Sequence, residues 1–331
     1  MKVLVIGGAG YIGSHMVKRL TGAGGRITVL DDLSAGYAES VRGADLILGD
    51  LGDSSVTSSL LLGRAFDAVM HFASFIQVGE SVREPQRYYD NNLVKTISLL
   101  DQMLATGVKN LIFSSTAALF GEPQVIPIPE SHTILPINPY GRTKAMVESI
   151  LCDYWNAYGL SSVALRYFNA AGADPDGELG ERHQPETHLI PLVLQAASGR
   201  RENIAVYGTD YDTPDGTCIR DYVHVTDLCE AHLLALNALL DDPGCRAYNL
   251  GNGQGFSVQQ VIDTARAVTG KRIEVSVQSR RAGDPARLVA DAGLARAELG
   301  WRPAYPSLED IIQHAWTWEQ KMAGGEVPGS G

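Results

Sequence analysis

Short apolar runs alternate with helically spaced apolar positions through the first half of the chain. The runs predict strands at residues 2–6, 27–30, 46–48, 68–71, 110–114 and 162–165. Ile12, Met16 and Leu20 have the spacing of a helix, a long helix is expected near 87–105, and another should begin at Pro139. Alternation of this kind predicts an α/β fold, a doubly wound parallel sheet with ligands at the carboxyl ends of its strands.

The second half of the chain has shorter elements. Residues 172–188 are polar and predict a loop. The rest of the pattern predicts strands near 205–207 and 273–277, and helices near 226–240, 257–268 and 308–321. We therefore expect a first domain over 1–168, a smaller C-terminal α/β lobe over 169–321 that binds substrate, and a flexible tail over 322–331. The chain is expected to return to the first domain around 210–240.

Composition narrows the classes of protein. The 38 acidic and 27 basic residues give a net charge of −11, which disfavours a nucleic-acid partner. No apolar run approaches the roughly 20 residues of a membrane helix, so no membrane partner is expected. The four cysteines show no C-x-x-C spacing and the eight histidines show no metal-ligand spacing. We expect reduced cysteines that mostly pack in the core, a cytoplasmic location and no bound metal.

A glycine-rich loop joins the first predicted strand to the first helix. Gly7, Gly10 and Gly13 suit a tight turn, close approach of a pyrophosphate and close packing of helix on strand, respectively. Asp31 ends the second strand about 20 residues further on, where a carboxylate binds a ribose diol and repels a 2′-phosphate. Asp32 could share this role. The arrangement predicts a Rossmann-type domain over 1–168 that binds NAD rather than NADP.

A second constellation combines a phenol, an amine and hydroxyls. Tyr140 and Lys144 share one face of the helix that begins at Pro139, because residues i and i+4 are neighbours. A lysine ammonium and a positive nicotinamide ring would lower the pKa of Tyr140, which is ordinarily about 10. Tyr140 could then take a proton from a sugar hydroxyl while hydride leaves to the cofactor. Ser114 and Thr116, at the end of the fifth strand, could hydrogen-bond the reacting oxygen.

Together these segments resemble the extended short-chain dehydrogenase/reductases. Further motifs, over about residues 1–320, are similar to those of the UDP-glucose 4-epimerase family. They are His71-Phe72-Ala73, Val78-Gly79-Glu80-Ser81-Val82, Tyr88-Tyr89-Asp90-Asn91-Asn92, Arg166-Tyr167-Phe168-Asn169, Glu186-Thr187-His188-Leu189-Ile190-Pro191, Asp215-Gly216-Thr217-Cys218-Ile219-Arg220-Asp221-Tyr222 and Tyr248-Asn249-Leu250-Gly251.

The resemblance implies a retained NAD and a 4-keto sugar intermediate, with UDP-galactose and UDP-glucose as substrates. It also implies a homodimer formed through helices of the first domain. The implied catalytic residues are Thr116, Tyr140 and Lys144. The cofactor-binding set is Gly7, Gly10, Tyr11, Ile12, Gly13, Asp31, Asp32, Asp50, Leu51, Phe72, Ala73, Asn91, Ser114, Tyr140, Lys144 and Phe168. The substrate-binding set is Thr116, Tyr140, Asn169, His188, Leu189, Ala205, Tyr207, Arg220, Tyr222, Arg281, Asp284 and Leu288.

Single residues of these sets have ordinary explanations. Asp50 is placed to meet adenine, but spacing alone fits a loop aspartate equally well. A lone arginine such as Arg220 is usually a solvated charge, and His188 by itself fits a polar loop. Only the combination points to a nucleotide diphosphate, which two arginines, Arg220 and Arg281, can clamp.

Two departures from the family pattern bear on the cofactor and on the substrate, respectively. Ile76 stands where some members place a lysine, so that cofactor contact is in doubt. Leu288 stands where members restricted to UDP-glucose and UDP-galactose can carry a bulky tyrosine, so UDP-GlcNAc and UDP-GalNAc become candidate substrates. Ala117 and Ala118 occupy the positions where related dehydratases need carboxylates. The remaining alternatives are a 4-epimerase of a UDP-uronate or UDP-pentose and, in a different class, a non-catalytic NAD-binding regulator.

Overall fold

The computed structural model describes residues 1–281 and 284–325. Its strands are β1 Lys2–Ile6, β2 Arg26–Asp31, β3 Asp45–Leu48, β4 Ala68–His71, β5 Asn110–Thr116, β6 Ser161–Tyr167, β7 Asn169–Ala171, β8 Ile204–Tyr207, β9 Ile219–Arg220, β10 Tyr222–His224, β11 Cys245–Leu250, β12 Phe256–Ser257, β13 Val275–Gln278 and β14 Arg287–Leu288. Its helices are α1 Tyr11–Gly22, α2 Ser54–Arg64, α3 Val78–Arg83, α4 Pro85–Tyr88, α5 Lys95–Thr106, α6 Pro139–Tyr158, α7 Leu189–Ser198, α8 Val225–Asp241, α9 Val258–Thr269, α10 Gly293–Glu298 and α11 Leu308–Ala323.

The first domain is built on a seven-stranded sheet. Its strand order is β11-β6-β5-β4-β1-β2-β3, and every neighbouring pair is parallel. In β1, Val3 and Val5 belong to the core against α1 and α8, whereas Leu4 and Ile6 belong to the core against α2, α5 and α6. A parallel sheet covered on both faces needs apolar residues at every position, which explains the unbroken apolar runs. The α/β prediction is confirmed.

The seventh strand, β11, is a correction to the predicted elements. Its residues are Cys-Arg-Ala-Tyr-Asn-Leu, and only the last three are buried, so the segment has neither an apolar run nor an alternating pattern. It pairs with β6 after α8 has crossed back over the sheet. The chain thus rejoins the main sheet through α8 and β11.

Two helices show how local sequence sets element ends. The Asn138 side chain accepts a hydrogen bond from Gly141 N at 2.9 Å, and Pro139 occupies the first turn of α6, as expected. The predicted helix at 87–105 is one continuous stretch of α4, a π-helical segment at Tyr89–Val94, and α5. π-helical turns occur frequently at functional sites.

The second lobe packs α7, α9 and α11 around its own core, with Ile190, Val193, Val261, Ile311 and Trp316 among the buried residues. The remaining strands form three small sheets, β13–β8, β12–β9–β14 and β10–β7. The final helix runs to Ala323, two residues into the predicted tail, and 326–331 lie outside the described residues.

Two findings concern compartment and cysteine chemistry. In the described part of the chain, no helix is long and apolar enough to cross a membrane. All four cysteines are free, and Cys218 and Cys229 are buried. Cys152 is exposed instead, and its Sγ lies 2.7 Å from Sγ of half-buried Cys245, so the expectation of mostly core cysteines holds for only two of them.

Candidate active site

The glycine loop has different requirements at its three positions. Gly7 adopts φ +78°, and a Cβ there would lie 2.5 Å from Ala73 N. A Cβ at Gly13 would lie 2.1 Å from Gly7 O, so the chain itself requires both glycines. At Gly10 the nearest atom to a Cβ is 3.5 Å away, which is an ordinary contact. The glycine at position 10 therefore leaves open space beside the start of α1, where backbone N–H groups can bind phosphate.

Asp31 lies at the carboxyl end of β2 next to this loop. Its Oδ2 accepts a hydrogen bond from Ala9 N and its Oδ1 accepts one from Leu33 N, both at 2.9 Å. Burial raises the pKa of Asp31 despite these two bonds. Each oxygen keeps a further lone pair for a ribose hydroxyl. Asp32 is exposed and bonded to Ser34 N at 2.9 Å, which leaves Asp31 as the better placed of the two.

Asp50 and Leu51 differ in environment. Both Asp50 oxygens lie 2.8 Å from Nζ of Lys95, whose hydrogen bond lowers the pKa of that carboxyl. Leu51 is buried in the core that includes Leu30 and Leu60. Contact with adenine is thus open to Asp50, and Leu51 mainly packs the domain.

The chain leaving β4 lies against the glycine loop. The amides of Phe72 and Ala73 donate to Ile6 O at 2.8 and 3.2 Å. Asn91, in the π-helical segment, donates to Asn92 Oδ1 at 3.1 Å. Phe72 and Ala73 are therefore beside Gly7, as the predicted cofactor set requires. Tyr11 is buried and donates to Gly172 O at 2.7 Å, so its side chain is already engaged within the protein.

Lys144 is a buried amine at the carboxyl end of β5. It is 1% exposed, and its Nζ donates to Ser74 Oγ and to Ser114 O, each at 2.7 Å. Nζ also lies 4.7 Å from the ring centroid of Phe113. Burial lowers the pKa of Lys144 to about 7. Ser74 was not among the predicted site residues, because no spacing relates it to the helix that carries Lys144.

Tyr140 and Thr116 adjoin one another. Thr116 Oγ1 accepts a hydrogen bond from Ala118 N at 3.1 Å, which leaves its hydroxyl proton free to be donated. Burial raises the pKa of Tyr140, and the neighbouring Thr116 hydroxyl opposes that shift. Removal of the phenolate from water thus outweighs the favourable groups of the chain alone, and the lowering expected with the positive nicotinamide ring present stays a prediction.

A buried ion pair supports this end of the sheet. Arg166 Nη2 lies 2.6 Å from Glu148 Oε2, and Arg166 Nε lies 3.1 Å from both carboxylate oxygens. Ser115 Oγ donates to the same carboxylate. Glu148 is four residues after Lys144 on α6, and Arg166 pairs with Ser115 across β5 and β6. Ser115 therefore anchors the helix to the sheet, and sequence analysis did not assign Glu148 or Arg166 to the site.

Candidate substrate residues from β7, β9 and β14 form one connected group. Asn169 donates from both its backbone N and its Nδ2 to Asp221 O, each at 3.0 Å. Leu288 pairs in register with Arg220, whose guanidinium contacts the carboxylate of Asp284. Leu288 also packs with Phe168 on the small core that contains Ala117, directly after Thr116. This group therefore extends to the small core that directly follows Thr116.

The other predicted substrate residues lie on separate elements. The guanidinium of Arg281 lies 3.9 Å from the ring centroid of Tyr207, so one face of that ring is already covered. Ala205 precedes it on β8, and Tyr222 is buried in the second lobe. Leu189 begins α7 and His188 precedes it. Ser114 provides its carbonyl to Lys144, and Ile12 packs on the core of the first domain.

A group of four ligand-type side chains was not predicted. Glu181, His183, Glu186 and His188 each place one nitrogen or oxygen atom so that all four atoms lie within 4.8 Å of one another. The spacing of the histidines does not reveal this group, because two of its four members are glutamates.

Known proteins share both the sequence and this fold. The chain is 50% identical to a UDP-glucose 4-epimerase of Halalkalibacterium halodurans, over 98% of this chain and 97% of that protein. A crystal structure of UDP-glucose 4-epimerase from Brucella ovis in complex with NAD is 50% identical, with TM-score 0.93 over 95% of this chain and 97% of that one. The UDP-Glc/GlcNAc 4-epimerase of Campylobacter jejuni is 43% identical, with TM-score 0.85 over 97% and 99%.

The resemblance expected from the motifs is confirmed by these relatives. A model of the NAD dependent epimerase/dehydratase family matches residues 3–251. The chain therefore belongs to the NAD dependent epimerase/dehydratase family.

Proposed function

We propose that this chain is an NAD-dependent 4-epimerase that interconverts UDP-galactose and UDP-glucose through a 4-keto sugar. The observation that carries the proposal is the buried Lys144 amine, which bonds Ser74 Oγ next to Ala73 and Gly7, on the helix that also carries Tyr140 beside Thr116. Related dehydratases need carboxylates directly after this threonine to eliminate water. This chain has Ala117 and Ala118 at those positions. The relatives from Halalkalibacterium halodurans and Brucella ovis support the same activity.

The residues present fit NAD. The open space at Gly10 and the start of α1 would hold the pyrophosphate, and Asp31 would bind the ribose hydroxyls. Phe72 and Ala73 would lie along the cofactor, since they adjoin Gly7. When bound, NAD supplies the hydride acceptor and donor at sugar C4.

Tyr140 would take the proton from the C4 hydroxyl and return it to the keto oxygen. Thr116, whose Oγ1 accepts a hydrogen bond from Ala118 N, would donate its hydroxyl proton to the reacting oxygen beside Tyr140. The Lys144 amine is held by Ser74 and by Ser114 O. When it is protonated, its positive charge would favour the phenolate form of Tyr140. Burial opposes that phenolate in the chain alone, so positive charge near Tyr140 is needed for catalysis at neutral pH.

Arg220, Arg281, Tyr207 and Asp284 would bind the UDP part. Arg220 and Asp284 now contact one another, so a diphosphate would compete with Asp284 for the guanidinium. Arg281 is exposed, and its guanidinium would move from the ring of Tyr207 to bind the diphosphate. Asn169 would contact the sugar from the end of β7.

Leu288 favours acceptance of N-acetylated sugars as well. Leu288 and Phe168 both pack on the small core that contains Ala117, next to Thr116, so residue 288 would border the space for the sugar. Leucine leaves more room than tyrosine for an N-acetyl group. The similarity to the Campylobacter jejuni UDP-Glc/GlcNAc 4-epimerase supports this extension.

We further propose a homodimer and a cytoplasmic location. Val94, between α4 and α5, and Met146 on α6 are exposed apolar residues on the helices expected to form the dimer. The absence of disulfides among the four cysteines fits a reducing compartment. Light scattering during gel filtration gives the molar mass in solution and so tests the proposed homodimer.

The decisive experiment incubates purified protein with UDP-galactose and no added NAD, and follows the anomeric protons by NMR. Appearance of UDP-glucose is the expected result, and Tyr140→Phe should abolish it. Conversion of a UDP-uronate or UDP-pentose in place of UDP-galactose would establish the alternative epimerase. No conversion of any of these sugars with NAD added would favour the NAD-binding regulator.

A further inference from the structure

The loop between β7 and α7 carries four side chains that converge on one point. They are Glu181, His183, Glu186 and His188, in the pattern E-x-H-x-x-E-x-H. Their four ligand-type atoms lie within 4.8 Å of one another. Both imidazoles approach the carboxylates through Nδ1; Glu181 presents Oε1 to both of them, whereas Glu186 presents Oε2 to His183 and Oε1 to His188. His188 belongs to the predicted substrate-binding set, whereas Glu181, His183 and Glu186 have no role in the proposed reaction.

We propose that this group is a binding site for a divalent transition-metal ion, foremost Zn²⁺, which fastens the loop between the two lobes. Imidazole nitrogen and carboxylate oxygen are both ligands of Zn²⁺, and two of each would fill a four-coordinate site. Imidazole together with carboxylate selects zinc and its neighbours, whereas calcium and magnesium prefer oxygen ligands throughout.

The ligand-type atoms are close enough together for one metal ion to reach them all. With metal–ligand bonds of about 2.0–2.1 Å, neighbouring ligand atoms are about 3.3 Å apart. His183 Nδ1 lies 3.0 Å from Glu181 Oε1 and 3.8 Å from Glu186 Oε2. His188 Nδ1 contacts Glu181 Oε1 and lies 3.9 Å from Glu186 Oε1. The nitrogen–oxygen spacings lie on both sides of this value. Rotation of the four side chains would therefore bring both nitrogens and one oxygen of each carboxylate onto one ion.

Burial and charge support the same assignment. The side chains of Glu181 and Glu186 are 4% and 6% exposed, which is costly for two like charges without close compensation. His183 Nδ1 is buried and forms no hydrogen bond among the described residues, although Glu181 Oε1 is 3.0 Å away. The nitrogen and oxygen therefore face a shared point rather than one another. One divalent cation with two neutral imidazoles and two carboxylates is electrically neutral.

Neighbouring groups orient the ligands and connect them to both lobes. The amides of Thr187 and His188 donate to Glu186 Oε1 at 2.7 and 2.9 Å, which turns Oε2 towards His183. Arg182 pairs with Glu39 of the first domain at 2.8 Å. Trp318 Nε1, on α11, donates to Glu181 O at 3.0 Å. A metal here would thus hold the loop against both lobes and fix the start of α7.

The test uses full-length protein freed of any purification tag. Elemental analysis after gel filtration should find about one zinc per chain, as expected for one closed four-ligand site. Stripping with a chelator should lower the melting temperature, and added Zn²⁺ should restore it. Co²⁺ should give the visible absorption of a four-coordinate site.

Variants locate the metal. Glu186→Gln keeps the size of the side chain and should weaken zinc binding at least tenfold by titration calorimetry. Glu178→Gln is the matched control, since it makes the same change on the same loop outside the group. Cys245→Ser removes the Cys152 pair as another source of metal binding and should leave the stoichiometry unchanged.

Three outcomes would overturn the proposal. Stripped wild-type protein that binds Zn²⁺ no tighter than Glu186→Gln would leave the group as ion pairs only. Equal loss of zinc in Glu178→Gln, or loss in Cys245→Ser, would place the metal elsewhere. Titration of wild-type protein keeps the test valid even if Glu186→Gln fails to fold. No outcome depends on epimerase activity.

Discussion

Gly13 and Gly10 should fail in different ways when each is replaced by alanine. In Gly13→Ala the new Cβ meets Gly7 O at 2.1 Å and Gly8 Cα at 2.8 Å, so backbone must move. Overpacking costs about 1–3 kcal/mol where neighbours can yield, and a backbone clash belongs at the upper end of that range. In Gly10→Ala the nearest atom is 3.5 Å away and φ is −75°, so the fold accepts the methyl group.

The magnitudes can be converted to melting temperatures. An unfolding entropy of about 2.1 cal/mol/K per residue over 331 residues is about 0.7 kcal/mol/K. Loss of about 3 kcal/mol in Gly13→Ala therefore lowers the melting temperature of NAD-free protein by about 4 °C. Gly10→Ala should change stability by less than about 1 kcal/mol, because the unfavourable cap and the reduced chain entropy offset one another.

Gly10→Ala should weaken NAD binding although it leaves the stability of the fold nearly unchanged. A methyl group at position 10 fills the space that we assign to the pyrophosphate, and an overpacking cost of about 1–3 kcal/mol corresponds to roughly 5- to 150-fold weaker binding. The assay compares melting of NAD-free protein with calorimetric titration by NAD. If Gly10→Ala destabilised the NAD-free protein as much as Gly13→Ala, or bound NAD as wild type does, the reasoning about this loop would be refuted.

Three further substitutions test the remaining parts of the site. Lys144→Met should abolish epimerisation; because Lys144 has a pKa of about 7 in the fold and about 10.4 when unfolded, the unfolded chain binds the extra proton between these values. The unfolding free energy of NAD-free wild type should therefore rise relative to Lys144→Met from pH 7 to pH 9 in urea titrations, and a constant difference would contradict the burial argument. Glu148→Gln should cost about 3–5 kcal/mol in the same titrations, since it leaves the buried Arg166 charge uncompensated, and a loss below 1 kcal/mol would show that the pair matters little. Leu288→Tyr should reduce kcat/KM for UDP-GlcNAc by roughly 10- to 200-fold while that for UDP-galactose changes little, and equal losses on both sugars would count against a size limit at residue 288.

Local patterns accounted for the parts of this protein that depend on near neighbours in the chain. Apolar runs identified six of the seven strands of the main sheet, because a sheet buried on both faces requires apolar side chains at consecutive positions. The Asn138 cap, the glycine loop and the i, i+4 relation of Tyr140 and Lys144 are likewise set by local backbone geometry. The family resemblance then supplied residues from distant segments, which no local pattern relates.

Tertiary structure decided everything that depends on which segments meet. β11 joins the sheet because α8 carries the chain back beside β6, not because its own sequence is a strong strand. Ser74 reaches Lys144, and Arg166 reaches Glu148, only because β4, β5, β6 and α6 come together. The pKa of Tyr140 is raised because folding removes the phenol from water, a quantity that spacing does not contain. The convergence of Glu181, His183, Glu186 and His188 depends in the same way on the folded path of one loop.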